Sequence, residues 1–334
     1  MSETLLHPQP RTATRARAPS RILLAGVGCT ALLLLAGWFM PRWLTFLLTM
    51  AASHGLVSLG IVLLMRGGVV SFGQGLVFAV GGYAAALAFA RLGLTDAVGL
   101  ALVGGLAAVL VAAPFAPLLS RYRGIFFAML TLALSMVTYG ILVKTEMLGG
   151  SDGFNMGRPT LFRQALPDAL VGFVLYAVTV VFSAALALLA RVYVDSTRGL
   201  VTLAVRENEL RVEYLGGSVR HAMGINFVLA AFAGGSGGAL TVMALGHIDP
   251  NFSYWTSSGE FVFVAILAGW QSVLAVFIAS TVLEVVRSFS SLYFPNTWQL
   301  ALGLFLLLVI RFLPRGIGSL WIGRVGLPPS GGQP

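Results

Sequence analysis

Side chains able to act on another molecule gather in a few short stretches of this chain. One is Arg66-Gly67-Gly68-Val69-Val70-Ser71-Phe72-Gly73-Gln74-Gly75, where glycines flank two polar side chains between apolar runs. Non-helical backbone survives at membrane depth only where protein or a cavity covers it. Ser71, Phe72, Gly73, Gln74 and Gly75 could therefore line a permeation path in a broken helix. The same residues could equally form a short surface turn. A second stretch is Gly149-Gly150-Ser151-Asp152-Gly153, whose glycines permit positive φ and whose Asp152 can cap a turn. Gly150, Ser151, Asp152 and Gly153 could meet a solute or a partner, or simply form a loop. Residues 206–217 read Arg-Glu-Asn-Glu-Leu-Arg-Val-Glu-Tyr-Leu-Gly-Gly. Asp195 or Ser196 can cap a helix starting near Thr197. Asn208 can cap a second, short one over 209–215, which Gly216 can end. Leu210, Tyr214 and Leu215 give this second helix an apolar edge. It could be a solvated loop, a helix on lipid headgroups or a docking element for a cytoplasmic partner. Glu207, Glu209 and Glu213 would be repelled by an anionic leaflet, which favours docking.

Other polar residues stand alone. His54 and Glu284 lie in apolar surroundings, where ionisable groups are functional candidates by default. Glu284 can pair with Arg287 three residues on, and Glu260 falls at a predicted helix N-terminus, where the dipole favours it. The small residues from Ala230 to Leu240 let helix backbones approach closely, which is packing more than chemistry. There is no G-x-x-x-x-G-K-[ST], H-E-x-x-H or G-x-S-x-G motif and no cysteine/histidine metal spacing. The expectation is a chain that is not an enzyme and holds no catalytic, cofactor or metal site of its own.

These stretches must be positioned by an apolar scaffold. Of 334 residues, 57% are apolar and 10% charged, against about a quarter charged in soluble domains. So few charges could not cover a water-soluble globule of this size, and mean hydropathy is +0.90. The net charge of +9 sits at segment ends without interleaved exposed aromatics, so it reads as membrane orientation and not as nucleic-acid binding. The lone Cys29 excludes an internal disulfide framework. Apolar runs of spanning length cover 22–40, 44–65, 76–92, 97–119, 125–143, 169–190 and 222–245, then 260–294 and 298–313. No ten-residue alternation supports a barrel, so the expected fold is an all-α integral membrane protein, a polytopic bundle of about eight to ten segments.

Arg11, Arg15, Arg17 and Arg21 place the N-terminal tail, 1–20, in the cytoplasm, ahead of an uncleaved first helix. Arg66, the Arg121/Arg123 turn and the arginine-bearing loop 191–221 then fall on the same side. The loop 144–168, with Arg163 and Asp168, falls outside. If 260–294 crossed once, Arg311, Arg315 and Arg324 would end outside as well. As one helix it would be about 52 Å long, too long for a core of about 30 Å. Gly269-Trp270-Gln271-Ser272 is the natural break, which returns the tail 314–334 to the cytoplasm and leaves 21–313 as the membrane domain. The alternative is one tilted helix.

In order along residues 50–318, several segments together resemble the permease subunits of branched-chain amino acid ABC importers, specifically the LivM-type membrane subunit. They are Ser71-Phe72-Gly73-Gln74-Gly75 with Gly82-Tyr83-Ala84, Arg121 to Ala133, Gly149 to Gly153, Ala204-Val205-Arg206-Glu207-Asn208-Glu209 before Leu215-Gly216, Ser258-Gly259-Glu260, and Pro314-Arg315-Gly316. The resemblance implies a bacterial inner-membrane importer with a second homologous permease subunit, two cytoplasmic ATPase subunits and an extracytoplasmic solute-binding protein. ATP and magnesium would bind the ATPase subunits. Arg206, Glu207, Asn208, Glu209, Glu213 and Gly216 become candidates for coupling to the ATPase, and Ser71–Gly75 for the substrate path. The same family includes urea and amide importers. A self-sufficient secondary transporter would need coupling carboxylates at the midplane, for which Glu284 is the one candidate.

Overall fold

Long apolar runs without water to satisfy the backbone close their hydrogen bonds internally, and they do so here as helices. The computed structural model describes residues 19–161, 167, 170–295, 297–313 and 316–322. Arg11, Arg15, Arg17, Arg163, Asp168, Pro314, Arg315 and Arg324 lie outside the described residues. In chain order the helices are α1 (Pro19–Phe39), α2 (Arg42–Arg66), α3 (Gln74–Leu92), α4 (Ala97–Ala112), the short α5 (Ala116–Leu119), α6 (Gly124–Lys144), α7 (Val171–Asp195), α8 (Thr197–Glu207), α9 (Glu209–Tyr214), α10 (Val219–Leu245), α11 (Trp255–Ala268), α12 (Val273–Tyr293) and α13 (Trp298–Phe312). Among the described residues, seven helical spans are long and apolar enough to cross a membrane, and parts of α1, α11 and α13 add shorter apolar helices. The fold is that of an all-α polytopic membrane protein.

At the centre is α10, packed against α2, α3 and α4. Its glycines make this possible. A Cβ on Gly235 would collide with Ala108 and one on Gly238 with the Phe78 carbonyl, so larger residues would push the helices apart. Outward-facing residues such as Leu32, Leu110, Ile125 and Leu304 are large, apolar and exposed, as lipid contact requires.

The run 260–294 is broken at Gly269, as the arginine balance requires: α11 stops at Ala268, and Gly269 takes φ +75° and ψ 156°, a region open essentially to glycine. The single tilted helix is thereby excluded. The backbone N–H groups of Ile317 and Gly318 donate to Leu267 O (2.8 Å) and Ala268 O (2.9 Å), capping carbonyls that the broken helix leaves open. One boundary differs from expectation. Because α11 begins at Trp255, Glu260 lies in its second turn, away from the first-turn N–H groups that would have favoured it.

Candidate functional site

The α8–α9 hairpin projects from the end of the bundle that holds Arg66. Ser196 Oγ accepts from Gly199 N (3.4 Å) to start α8, and Asn208 Oδ1 accepts from Arg211 N (2.9 Å) to start α9. Gly216, at φ +81°, ends it. Val205 and Val212 anchor the pair in a cluster with Leu64, Val69, Leu119 and Met223. Tyr193 Oη and Asn226 Oδ1 are 2.7 Å apart, and Asn226 Nδ2 donates to Thr202 Oγ1 (3.2 Å), which ties α8 to α7 and α10. What remains outside is an apolar tip: Leu210, Tyr214 and Leu215 are 65%, 88% and 82% exposed. Glu207 and Glu213 flank it, also exposed.

Two residues of this stretch point inward. Arg206 lays its guanidinium 4.1 Å from the centre of the Trp270 ring, in the break between α11 and α12, and donates to Met65 O (3.3 Å). The side chain is exposed overall, yet partial desolvation of its head lowers its pKa from the usual arginine value. Arg66 donates to Trp270 O (3.3 Å) from the other side. Glu209 Oε1 accepts from Arg123 Nε (2.6 Å), which fastens α9 to the start of α6.

Deeper in the bundle, two segments outside the α-helices converge, the second of them a short 3-10 turn over Pro250–Ser253. The stretch 67–73 rises from the end of α2, and 249–254 descends from the opposite end. There a two-stranded ribbon pairs Phe154 with Ile248 and Asn155 with His247. Both segments are held by α6. Thr131 Oγ1 accepts from Phe72 N (3.1 Å), and Ser135 Oγ donates to Ser253 O (2.8 Å). Gly75 N, in the first turn of α3, donates to Ser258 Oγ in the first turn of α11 (2.9 Å), joining the helices that follow the two segments. Thr131 lies about 10 Å along α6 from its start, at 1.5 Å per residue. Ser71 and Gln74 are buried, so this is covered backbone at depth and not a surface turn.

At the middle of α2 and α12 a second polar group forms. His54 Nδ1 lies 3.3 Å from Glu284 Oε2, and Arg287 Nη1 donates to Glu260 Oε2 at 3.0 Å. The expected Glu284–Arg287 pair is not the one made. Arg287 reaches across to α11 and over Trp298, and Glu284 is taken by His54 on α2.

The chain matches the family described as branched-chain amino acid transport system / permease component over residues 43–311. That span is most of its length. The chain belongs to this permease family. It is 26% identical over 313 residues, 86% of this chain and 73% of the relative, to the high-affinity branched-chain amino acid transport system permease protein LivM of Escherichia coli strain K12. No solved structure matches it.

In this permease the sequence-predicted residues separate into distinct places. Glu207, Glu213 and Gly216 are exposed at the α8–α9 end, Asn208 is its cap, and Arg206 and Glu209 are tied back to the bundle. Ser71, Phe72, Gly73, Gln74 and Gly75 sit together on the seam with Thr131, Ser135 and Ser258. Gly150 and Gly153 adopt φ +57° and +68° in the loop after α6, where Ser151 Oγ donates to Asp152 Oδ1 (3.0 Å). That loop packs through Gly153 onto Ile248 of the ribbon and onto Asp249. Sequence reasoning missed the His54–Glu284 and Arg287–Glu260 arrangement and the stacking role of Trp270. The available signal was three ionisable residues at 260, 284 and 287 in an otherwise apolar stretch.

Proposed function

We propose that this chain is the membrane-spanning permease subunit of an ABC importer that moves branched-chain or related amino acids into the cytoplasm. A second homologous permease subunit completes the pathway. Two ATPase subunits hydrolyse ATP on the α8–α9 side, and a solute-binding protein delivers solute to the ribbon side. The N-terminus and the α8–α9 end are then cytoplasmic in a bacterial inner membrane. The observation that carries this reading is the α8–α9 tip. An apolar patch of Leu210, Tyr214 and Leu215 flanked by the exposed Glu207, Arg211 and Glu213, on a hairpin braced from within, is a surface suited to a protein partner. The inward contact of Arg206 on Trp270 supports it further, because movement of the hairpin would be felt at the α11–α12 break.

The test is reconstitution with the products of the neighbouring ATPase, permease and binding-protein genes. L-leucine uptake should require ATP and all partners. Uptake by this chain alone, driven by protons or sodium, would sink the proposal, and uptake of urea or amides in place of leucine would move it to another branch of the family. Replacing Glu209 and Glu213 with arginine should leave ATP hydrolysis running while uptake falls about tenfold, the loss expected when a docking contact of one to two kcal/mol goes. Unchanged uptake would reject the coupling assignment.

A further inference from the structure

Charged side chains near the middle of a spanning helix persist only when paired or when they face water. Glu260, in the second turn of α11, and Arg287, on α12, are paired, yet 24% and 35% of their side-chain surface stays open. Acyl chains on that open side would leave a guanidinium and a carboxylate without hydration or further partners. This flank therefore meets water, a polar solute or the second permease subunit proposed above. Between the Glu260–Arg287 pair and the deeper His54–Glu284 pair lies a cavity of about 10 Å³, room for about one water, with Val264 and Leu283 in its wall.

We propose that Glu260 and Arg287 recognise a small zwitterion with an apolar side chain, a free amino acid; the inference rests on the transport reading above and assigns it a contact point. In the empty site the two charges hold each other at 3.0 Å. A zwitterion carries the same two charges in the opposite sense. When the pair parts to admit it, its carboxylate accepts from the Arg287 fork and its ammonium donates to Glu260. Each residue exchanges one ionic partner for another and neither is left bare. The cavity at Val264 and Leu283 holds about one water, so the ligand's side chain stays on the open flank of the pair. An anion alone would strip Glu260 of its partner and a cation alone would strip Arg287, so both are selected against. His54 occupies Glu284 from behind, which keeps that carboxylate from competing for Arg287.

The experiment titrates the purified full chain in lipid nanodiscs with tritiated L-leucine by equilibrium dialysis. Competitors are 4-methylpentanoate, which lacks the ammonium, and 3-methylbutylamine, which lacks the carboxylate. Leucine should bind, with each analogue competing about tenfold or more weakly, and Glu260→Gln and Arg287→Gln should each weaken leucine by about tenfold or more, as loss of one charge-assisted contact predicts. The exchanged double variant, Glu260→Arg with Arg287→Glu, keeps an ion pair. It should unfold at the wild-type temperature and still fail to bind leucine. The proposal is overturned if the wild-type chain binds no leucine, if either analogue matches leucine, if the glutamine variants bind undiminished, or if the exchanged pair restores binding, which would make the pair structural. ATP-driven uptake by the assembled importer separates the two readings. Uptake unchanged in KM by Glu260→Gln removes this site alone, whereas a wild-type assembly that takes up no leucine removes the transport reading.

Discussion

At the α8–α9 end of the permease, charged groups sit beside water; at the middle of α2 and α12 they sit beside hydrocarbon. The first region has the shorter contact. Arg123 and Glu209 are 2.6 Å apart, and His54 and Glu284 are 3.3 Å apart. Ranked by distance, the end pair would be the stronger. Burial reverses the order. The end pair is 24% and 40% exposed and the middle pair 11% and 15%. An exposed pair contributes about 0–1 kcal/mol, because water already solvates both partners well. Removing one partner of a buried pair costs about 3–5 kcal/mol, because the other is stranded in low dielectric. The end region is built from groups that can exchange partners readily, which suits a surface that docks. In the middle, neither member of the buried His54–Glu284 pair can be left single, which suits a fixed prop behind the more exposed Glu260–Arg287 pair.

This contrast can be broken most directly at His54. His54→Leu should lower the stability of the purified chain by about 2–3 kcal/mol, less than the full buried-pair cost because Glu284 can take up a proton. Adding Glu284→Leu should recover most of the loss, since an apolar pair of similar volume needs no partner. Thermal unfolding in detergent reads both; a silent His54→Leu would remove burial as the deciding factor. Next in size is Gly269→Ala, between the two regions. Its φ and ψ belong to glycine, and the backbone of Gly316 packs directly against it, so a cost of about 1–3 kcal/mol is expected in the same measurement. Trp270→Leu should cost about 1 kcal/mol, the worth of a partly exposed cation–π contact. In the assembled importer it should raise the ATP consumed per leucine moved. If that ratio stays at the wild-type value, the Arg206–Trp270 contact does not transmit.

Much of the scaffold was legible in the sequence because its causes are local. Hydropathy marks the helices, Asn208 and Ser196 announce caps, and the arginine balance together with Gly269 located the break between α11 and α12. Gly216 reads as a helix stop because it alone can adopt the left-handed conformation there at no cost. The seam was half legible: Ser71–Gly75 was visible as irregular, but whether it lay at the surface or at depth depended on Thr131 and Ser258, far along the chain. The charged middle was not legible. On one helix, Glu284 and Arg287 are neighbours by spacing, and helical proximity predicts their pairing. Competing partners from α2 and α11 win, and nothing in the local sequence of α12 shows that those helices pack there.

The smallest expected effect gives the sharpest control. Arg123→Gln removes the charge that holds Glu209 but leaves a side chain able to donate to it. Stability should fall by about 0.5 kcal/mol at low salt. The loss should fade as salt rises, since the screening length drops from about 10 Å at 0.1 M to about 3 Å at 1 M. His54→Leu, measured alongside, should keep its full cost across the same range, because salt does not enter the space between α2 and α12. Parallel salt curves for the two variants would mean that the His54–Glu284 pair is hydrated in the native state. The cost of His54→Leu would then be a screened electrostatic one, whereas a cost from lost packing on Phe78 and Phe261, whose rings lie 6.0 and 5.5 Å away, would not fade with salt.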